Sequence, residues 1–174
     1  LLPLSRVMIL DDVPTSWYVS RMSTIRPCLW FDGNGLEAAE FYVSLFPDSR
    51  VDDVSPGPDG SPVMVSFTLM GRPFQALNGG PQFTFTEAVS LVVPCQNQEE
   101  VDHYWSVLTE GGEESMCGWL KDRFGLSWQI VPTELGEILG DPDPERAARA
   151  TEAMLQMRKL DVAALRAAAD GADA

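Results

Sequence analysis

Two stretches of the chain alternate apolar and polar positions with the period of a strand, and each is followed by a run with the period of a helix. In IRPCLWF the alternating apolar positions are Ile25, Leu29 and Phe31; in AVSLVV they are Val89, Leu91 and Val93. The helical run after the first, NGLEAAEFY, places Leu36, Ala39, Val43 and Phe46 on one face. The run after the second, NQEEVDHYW, places Val101, Tyr104, Trp105 and Leu108 on one face and stops at Gly111-Gly112. Both runs read N-x-x-E, then three residues, then two aromatics. An asparagine there accepts from a free amide of the first turn, and a glutamate three positions on reaches back. Asn34 with Glu37 and Asn97 with Glu100 are therefore expected to cap the two helices.

Strand-like segments return after each helix. In the first half they are Arg50–Ser55, Val63–Met70 and Pro73–Asn78, divided by PGPDG and by Gly71. In the second half they are Glu114–Lys121 and Leu126–Pro132, with one weaker segment that the pattern does not place. The closing segments match: GRPFQAL and GLSWQIV both read G-x-x-aromatic-Q-aliphatic-aliphatic. An unpaired buried amide costs roughly 1–3 kcal/mol by mutational estimates, so glutamines at the same place in both halves, Gln75 and Gln129, call for a reason. Two matches in the same order predict a duplicated βαβββ unit and an α+β fold. The remainder is helical in composition, with Asp143-Pro144 as a helix start and Met154, Met157 and Leu160 on one stripe. That stripe is expected to pack on the body or on a second subunit. The chain thus divides into residues 1–21, read as an extension or non-native leader, a paired domain over 22–132, and a helical tail over 133–174.

Composition narrows the function. The 174 residues are 45% apolar and 22% charged, as in a globular protein, with a formal net charge of −14. An acidic surface repels phosphate backbones, so no nucleic-acid partner is expected. No apolar run is long enough for a bilayer, so no membrane partner is expected either. Residues 1–21 do not resemble a secretory signal, because Asp11 and Asp12 interrupt them. The three cysteines, Cys28, Cys95 and Cys117, follow no zinc or redox spacing and fit reduced thiols in a cytoplasmic protein.

A paired βαβββ unit resembles the vicinal oxygen chelate superfamily, which includes glyoxalase I, extradiol dioxygenases and bleomycin-resistance proteins. LWFDGNGLEAAEFYVSLFPDSRV, ALNGGPQF, EEVDHYW, GGEESMCGWLKDRFGLSWQIVP and DPDPERAARATEAMLQMRKLD are similar to its PhnB-like branch, often labelled 3-demethylubiquinone-9 3-methyltransferase. The resemblance runs from about Met22 to Gly171. It implies two halves of a curved, mostly antiparallel sheet around a cleft, formed within one chain or between two, and a homodimer. In metal-dependent relatives a divalent ion in that cleft takes ligands from the first and last strands of each module and acts as a Lewis acid. Carried onto this chain, those positions fall near Arg26 and Ala88 and on Gln75 and Gln129. Arg26 is a permanent cation, Ala88 has no donor, and glutamine is a weak neutral ligand, so no metal site is expected. The one histidine, His103, falls on the polar side of its helix.

The methyltransferase label implies an S-adenosylmethionine site, yet neither Gly79-Gly80 nor Gly111-Gly112 forms the glycine-rich strand-to-helix turn that such a fold uses. No cofactor is expected. The reading that remains is a small-molecule cleft with an amide at each symmetric centre. Gln75 and Gln129 offer donors and acceptors, Trp30 a flat wall, Cys28 a thiol and Arg26 a partner for an acid group. Ser90 lies on the same face, and Asn78, before two glycines, closes a turn or touches a ligand. Trp119 and Lys121 in GWLKD are expected to be structural. The alternatives are a metal-dependent lyase, isomerase or dioxygenase of the same superfamily and the methyltransferase of the label.

Overall fold

A computed structural model describes residues 25–172; the expectation for residues 1–21 lies outside them. The elements are β1 (Cys28–Phe31), α1 (Gly35–Leu45), β2 (Arg50–Pro56), β3 (Pro62–Leu69), β4 (Arg72–Asn78), β5 (Ser90–Cys95), α2 (Gln98–Thr109), β6 (Glu113–Glu114), β7 (Trp119–Lys121), β8 (Ser127–Pro132), α3 (Leu135–Leu139), α4 (Pro144–Gln156) and α5 (Val162–Asp170). The first four strands form one sheet in the order β1-β4-β3-β2, and the next four repeat it as β5-β8-β7-β6. In each sheet the first and last strands of the module run parallel and the other neighbours antiparallel. The α+β duplication is therefore present, with a mixed sheet in each half.

One helix covers one face of each sheet, and the two covered faces meet in a single core. Leu29, Phe31, Val65, Phe67, Phe74 and Ala76 of the first module join Val93, Cys95, Leu120, Trp128 and Ile130 of the second. Aromatic rings cross the boundary: Phe46 stacks on Trp128 at 5.6 Å and on Tyr104 at 5.0 Å, and Tyr42 meets Trp128 edge-on at 5.3 Å. The opposite face of each sheet points away from this core.

Several sequence expectations shift. Ile25 is fully exposed and outside β1, because Pro27 has no amide for the ladder and the strand begins after it. Val89 likewise precedes β5 and is exposed. The buried stripe of α1 is Gly35, Ala38, Ala39 and Tyr42, with Leu36 and Val43 at its margin. Two alanines let the helix lie close on the sheet, so small size sets the buried face. The segment read as one strand over Glu114–Lys121 breaks into β6 and β7 at a turn where Cys117 and Gly118 both have positive φ.

The caps differ in the same way. Asn97 accepts from the Glu100 amide at 2.9 Å, and Glu100 accepts from the Gln96 amide at 2.8 Å. Asn34 makes no such bond. Its place is taken from across the sheet by Asn78, whose Oδ1 accepts from the Gly35 amide at 2.8 Å while its Nδ2 donates to the Pro62 carbonyl at 2.8 Å. A Cβ on Gly35 would stand 2.7 Å from that oxygen, so glycine is what lets strand and helix meet here. Asn78→Ala is expected to cost about 1–2 kcal/mol and Asn34→Ala a few tenths, read as shifts in urea midpoint. Equal losses would return the cap to Asn34.

The tail is three helices around a small core of Ile138, Ala150, Leu165 and Ala169. Asp143 caps α4 as expected, accepting from the Glu145 amide at 2.9 Å, with Pro144 first in the helix. The expected stripe is interrupted, because α4 ends at Gln156 and Met157 is extended. The carbonyls of Met157 and Arg158 instead accept from the Cys117 and Gly118 amides, both at 2.7 Å, and dock the tail on the β6–β7 turn.

Candidate functional site

The register defines what each open face carries. Leu29 and Phe31 are buried toward the helix, so by alternation Cys28 and Trp30 face the other way. Cys28 lies opposite Gln75, and Gln75 opposite Ser66, which makes one row across the first sheet. Val92 lies opposite Gln129, and Gln129 opposite Trp119, which makes the matching row in the second. The two glutamines are therefore equivalent in register as well as in sequence. The same register makes Ser90, two residues before Val92, the counterpart of Arg26. Ala88, the counterpart taken from the sequence, lies outside β5.

The side chains on these faces are held in different ways. Gln129 donates from Nε2 to the Ser90 hydroxyl at 2.8 Å, which answers for one end of its amide. Gln75 is only 6% exposed. Trp30 donates from its indole to the Gly80 carbonyl at 2.8 Å, and Phe83 meets its ring edge-on at 5.0 Å. A Cβ on Gly79 would fall 2.2 Å from the indole, so that glycine sets the ring's position. Cys28 keeps open surface, yet burial among its neighbours pushes its thiol above the usual value and disfavours a reactive thiolate. Arg26 is half-buried just ahead of β1. Asn78 is the α1 cap described above, at the far end of β4.

Two features were not legible as site chemistry. On the second open face Lys121 is bonded to Glu87 at 2.6 Å, beside Trp119 and the wholly buried Ser127, around a cavity of about 120 Å³. GWLKD drew attention in the sequence, but Glu87 is distant in the chain and nothing local marks Ser127. The other is Asp122, 3% exposed between the modules. Its Oδ2 accepts from the Tyr42 hydroxyl at 2.7 Å and the Trp128 indole at 2.8 Å. Its Oδ1 accepts from the amides of Phe124 at 2.8 Å and Leu126 at 3.0 Å. Burial pushes the Asp122 carboxyl above its ordinary value against the pull of these four donors, and burial beside that carboxyl raises the Tyr42 hydroxyl.

The family described as 3-demethylubiquinone-9 3-methyltransferase matches residues 23–131. The chain belongs to this family. Among solved structures, a PhnB protein from Bacillus cereus is 33% identical, with a TM-score of 0.60 over 63% of this chain and 99% of that one. Protein PA1353 from Pseudomonas aeruginosa is 21% identical, with a TM-score of 0.51 over 63% and 96%. A fosfomycin resistance protein, FosX, from Listeria monocytogenes is 15% identical, with a TM-score of 0.49 over 68% and 96%. No curated protein matches the sequence. The PhnB-like assignment, read from sequence motifs, holds.

The divalent ion that the sequence resemblance implies does not fit the residues of this PhnB-like chain. At the corresponding positions stand an arginine, a serine and two amides, none of them an imidazole or carboxylate, and Gln129 is already bonded to Ser90. Among the described residues no three His, Cys, Asp or Glu side chains gather as metal ligands. His103 is exposed on α2, edge-on to Tyr104 at 5.2 Å. Gly79-Gly80 follows β4 but leads into an irregular segment, and Gly111-Gly112 follows a helix, so neither begins the helix that a nucleotide turn requires. Among the described residues no helix is long and apolar enough to cross a membrane.

Proposed function

We propose that this PhnB-like protein is a cytoplasmic homodimer that binds a small, partly apolar molecule in clefts closed between two copies. The observation that carries the reading is the back-to-back packing of the two modules. Their helix-covered faces share one core, so the faces bearing Gln75 and Gln129 point outward. Those faces mix apolar and hydrogen-bonding groups: Trp30, Cys28 and the Gln75 amide on one, Val92, Trp119 and the Ser90–Gln129 pair on the other. Val92 is 57% exposed in the single chain, which suits a surface covered by a second copy. Arg26, at the edge of the first face, supplies a positive charge for an acid group. The residues support binding through amides, a thiol and aromatic walls, with no step assigned to a divalent ion.

Native mass spectrometry of freshly purified protein tests this directly. A dimer carrying a retained small molecule is the expected result, and a monomer at micromolar concentration would sink the two-chain cleft. In the Gln75→Ala, Gln129→Ala double variant the molecule is expected to bind about tenfold more weakly, the loss of one or two net hydrogen bonds, and to be retained less. A well-folded double variant that keeps it at the parental level removes the amides from the site.

A further inference from the structure

The Lys121 corner of the second open face combines a charge and an unsatisfied donor. Lys121 Nζ is held by Glu87 at 2.6 Å, and the Glu87 side chain is 63% exposed, on the irregular segment between the modules. Ser127 lies opposite Lys121 in the ladder and is 0% exposed, yet its hydroxyl has no hydrogen-bond partner. A buried hydroxyl without a partner is costly in a folded chain, and an acceptor arriving in the cavity would satisfy it. Glu87, Trp119, Lys121 and Ser127 all line that cavity.

We infer that this corner receives a small monocarboxylate. Its acid group takes the place of Glu87 on Lys121, accepts a hydrogen bond from Ser127, and its carbon body lies against Trp119. Glu87 is then a built-in stand-in, an acid arm that holds the lysine until the ligand arrives. Charge decides for a carboxylate over a phosphate. Glu113 stands opposite Lys121 on the edge strand and Glu114 also lines the cavity, so the corner holds one cation and three acids. The Glu114 carboxylate is already engaged by the Trp105 indole at 3.1 Å and Arg158 at 3.4 Å. Exchanging one carboxylate for another on Lys121 leaves the local balance there unchanged, whereas a dianion brings a second negative charge among acids.

The inference rests on reading the open faces as cleft walls, and the test separates the two. Benzoate is titrated into the full chain and followed by the Trp119 indole proton in nitrogen-15 NMR, assigned through Trp119→Phe. A saturable shift is expected, with none for benzamide. Glu87→Gln removes the competing acid and is expected to tighten benzoate about two- to fivefold, the size of an exposed ion pair. Lys121→Met is expected to lose the binding. Ser127→Ala is expected to bind more weakly while melting no lower than the parent. No benzoate binding to Glu87→Gln, no tightening by it, or undiminished binding by Lys121→Met overturns the inference, and tighter binding of phenylphosphonate than of benzoate overturns the carboxylate. Light scattering on the same samples reads the cleft itself: a dimer indifferent to benzoate sinks this inference alone, and a monomer sinks the two-chain cleft.

Discussion

Asp122→Ala is expected to lower stability by about 3–5 kcal/mol, enough to unfold most natural domains under mild stress. The substitution leaves four donors without their acceptor at a site only 3% exposed. Two of them, the Phe124 and Leu126 amides, hold the turn before β8. The other two, the Tyr42 hydroxyl and the Trp128 indole, come from opposite modules and meet on one oxygen. Asp122→Asn keeps one accepting oxygen and turns an amide donor against the other pair, so about half the loss is expected, roughly 1–3 kcal/mol. Tyr42→Phe removes one donor and is milder. The Tyr42→Phe, Asp122→Asn cycle, read by urea unfolding, then measures the bond between the modules. A coupling energy indistinguishable from zero would mean that ring packing alone, and not this carboxylate, joins the two halves.

The same residue gives the protein a pH dependence of definite sign. Burial raises the folded carboxyl above its unfolded value, so over the intervening pH range the folded chain binds more protons than the unfolded one. The contribution is fully present below the unfolded value, near roughly pH 4, and is lost as pH rises through the folded value. The advantage of the parent over Asp122→Asn should therefore shrink as pH rises through that window. An advantage that grows with pH would show that the four donors outweigh burial.

How much of this was legible in the sequence depends on how local each cause is. The duplication was legible because period-two and period-three-to-four patterns, capping residues and the two Q-bearing strands are all short-range signals. The equivalence of Gln75 and Gln129 was legible for the same reason, and the strand register agrees with it. Asn34 misled because its spacing to Glu37 is that of a cap, while the helix start is instead held at the Gly35 amide by Asn78, 43 residues away. Asp122 was invisible because its partners lie on α1 and β8, and a charged residue between strands reads as a turn. Lys121 drew notice, but its meaning depends on Glu87 and Ser127, which only the fold brings to it. The counterpart of Arg26 was read as Ala88 where the register gives Ser90, because strand β5 begins later than its apolar pattern suggests.

The tail offers the second large effect. Leu160→Ala is expected to cost about 2–5 kcal/mol, the range for truncating a fully buried leucine, and to release the tail before the body unfolds. Leu160 sits in the link between α4 and α5, where the chain has left the helix to bond the β6–β7 turn. A Cβ on Gly118 would stand 3.1 Å from its side chain, so the turn is shaped to admit it. Gln98 of α2 fastens the same link with both ends of its amide, donating to the Leu160 carbonyl at 3.0 Å and accepting from the Val162 amide at 2.9 Å. The ion pair between Lys159 and Asp102 at 2.5 Å is exposed and counts for less, so Lys159→Ala is expected to cost under about 1 kcal/mol. The tail has its own core, separate from that of the body, which makes stepwise release the expected consequence. Hydrogen exchange checks it. In Leu160→Ala the amides of Cys117, Gly118 and Val162 should exchange faster while those of Val65 and Ile130 stay protected. Equal acceleration at all five positions would mean that tail and body unfold as one unit and that Leu160 belongs to the stability of the whole paired domain.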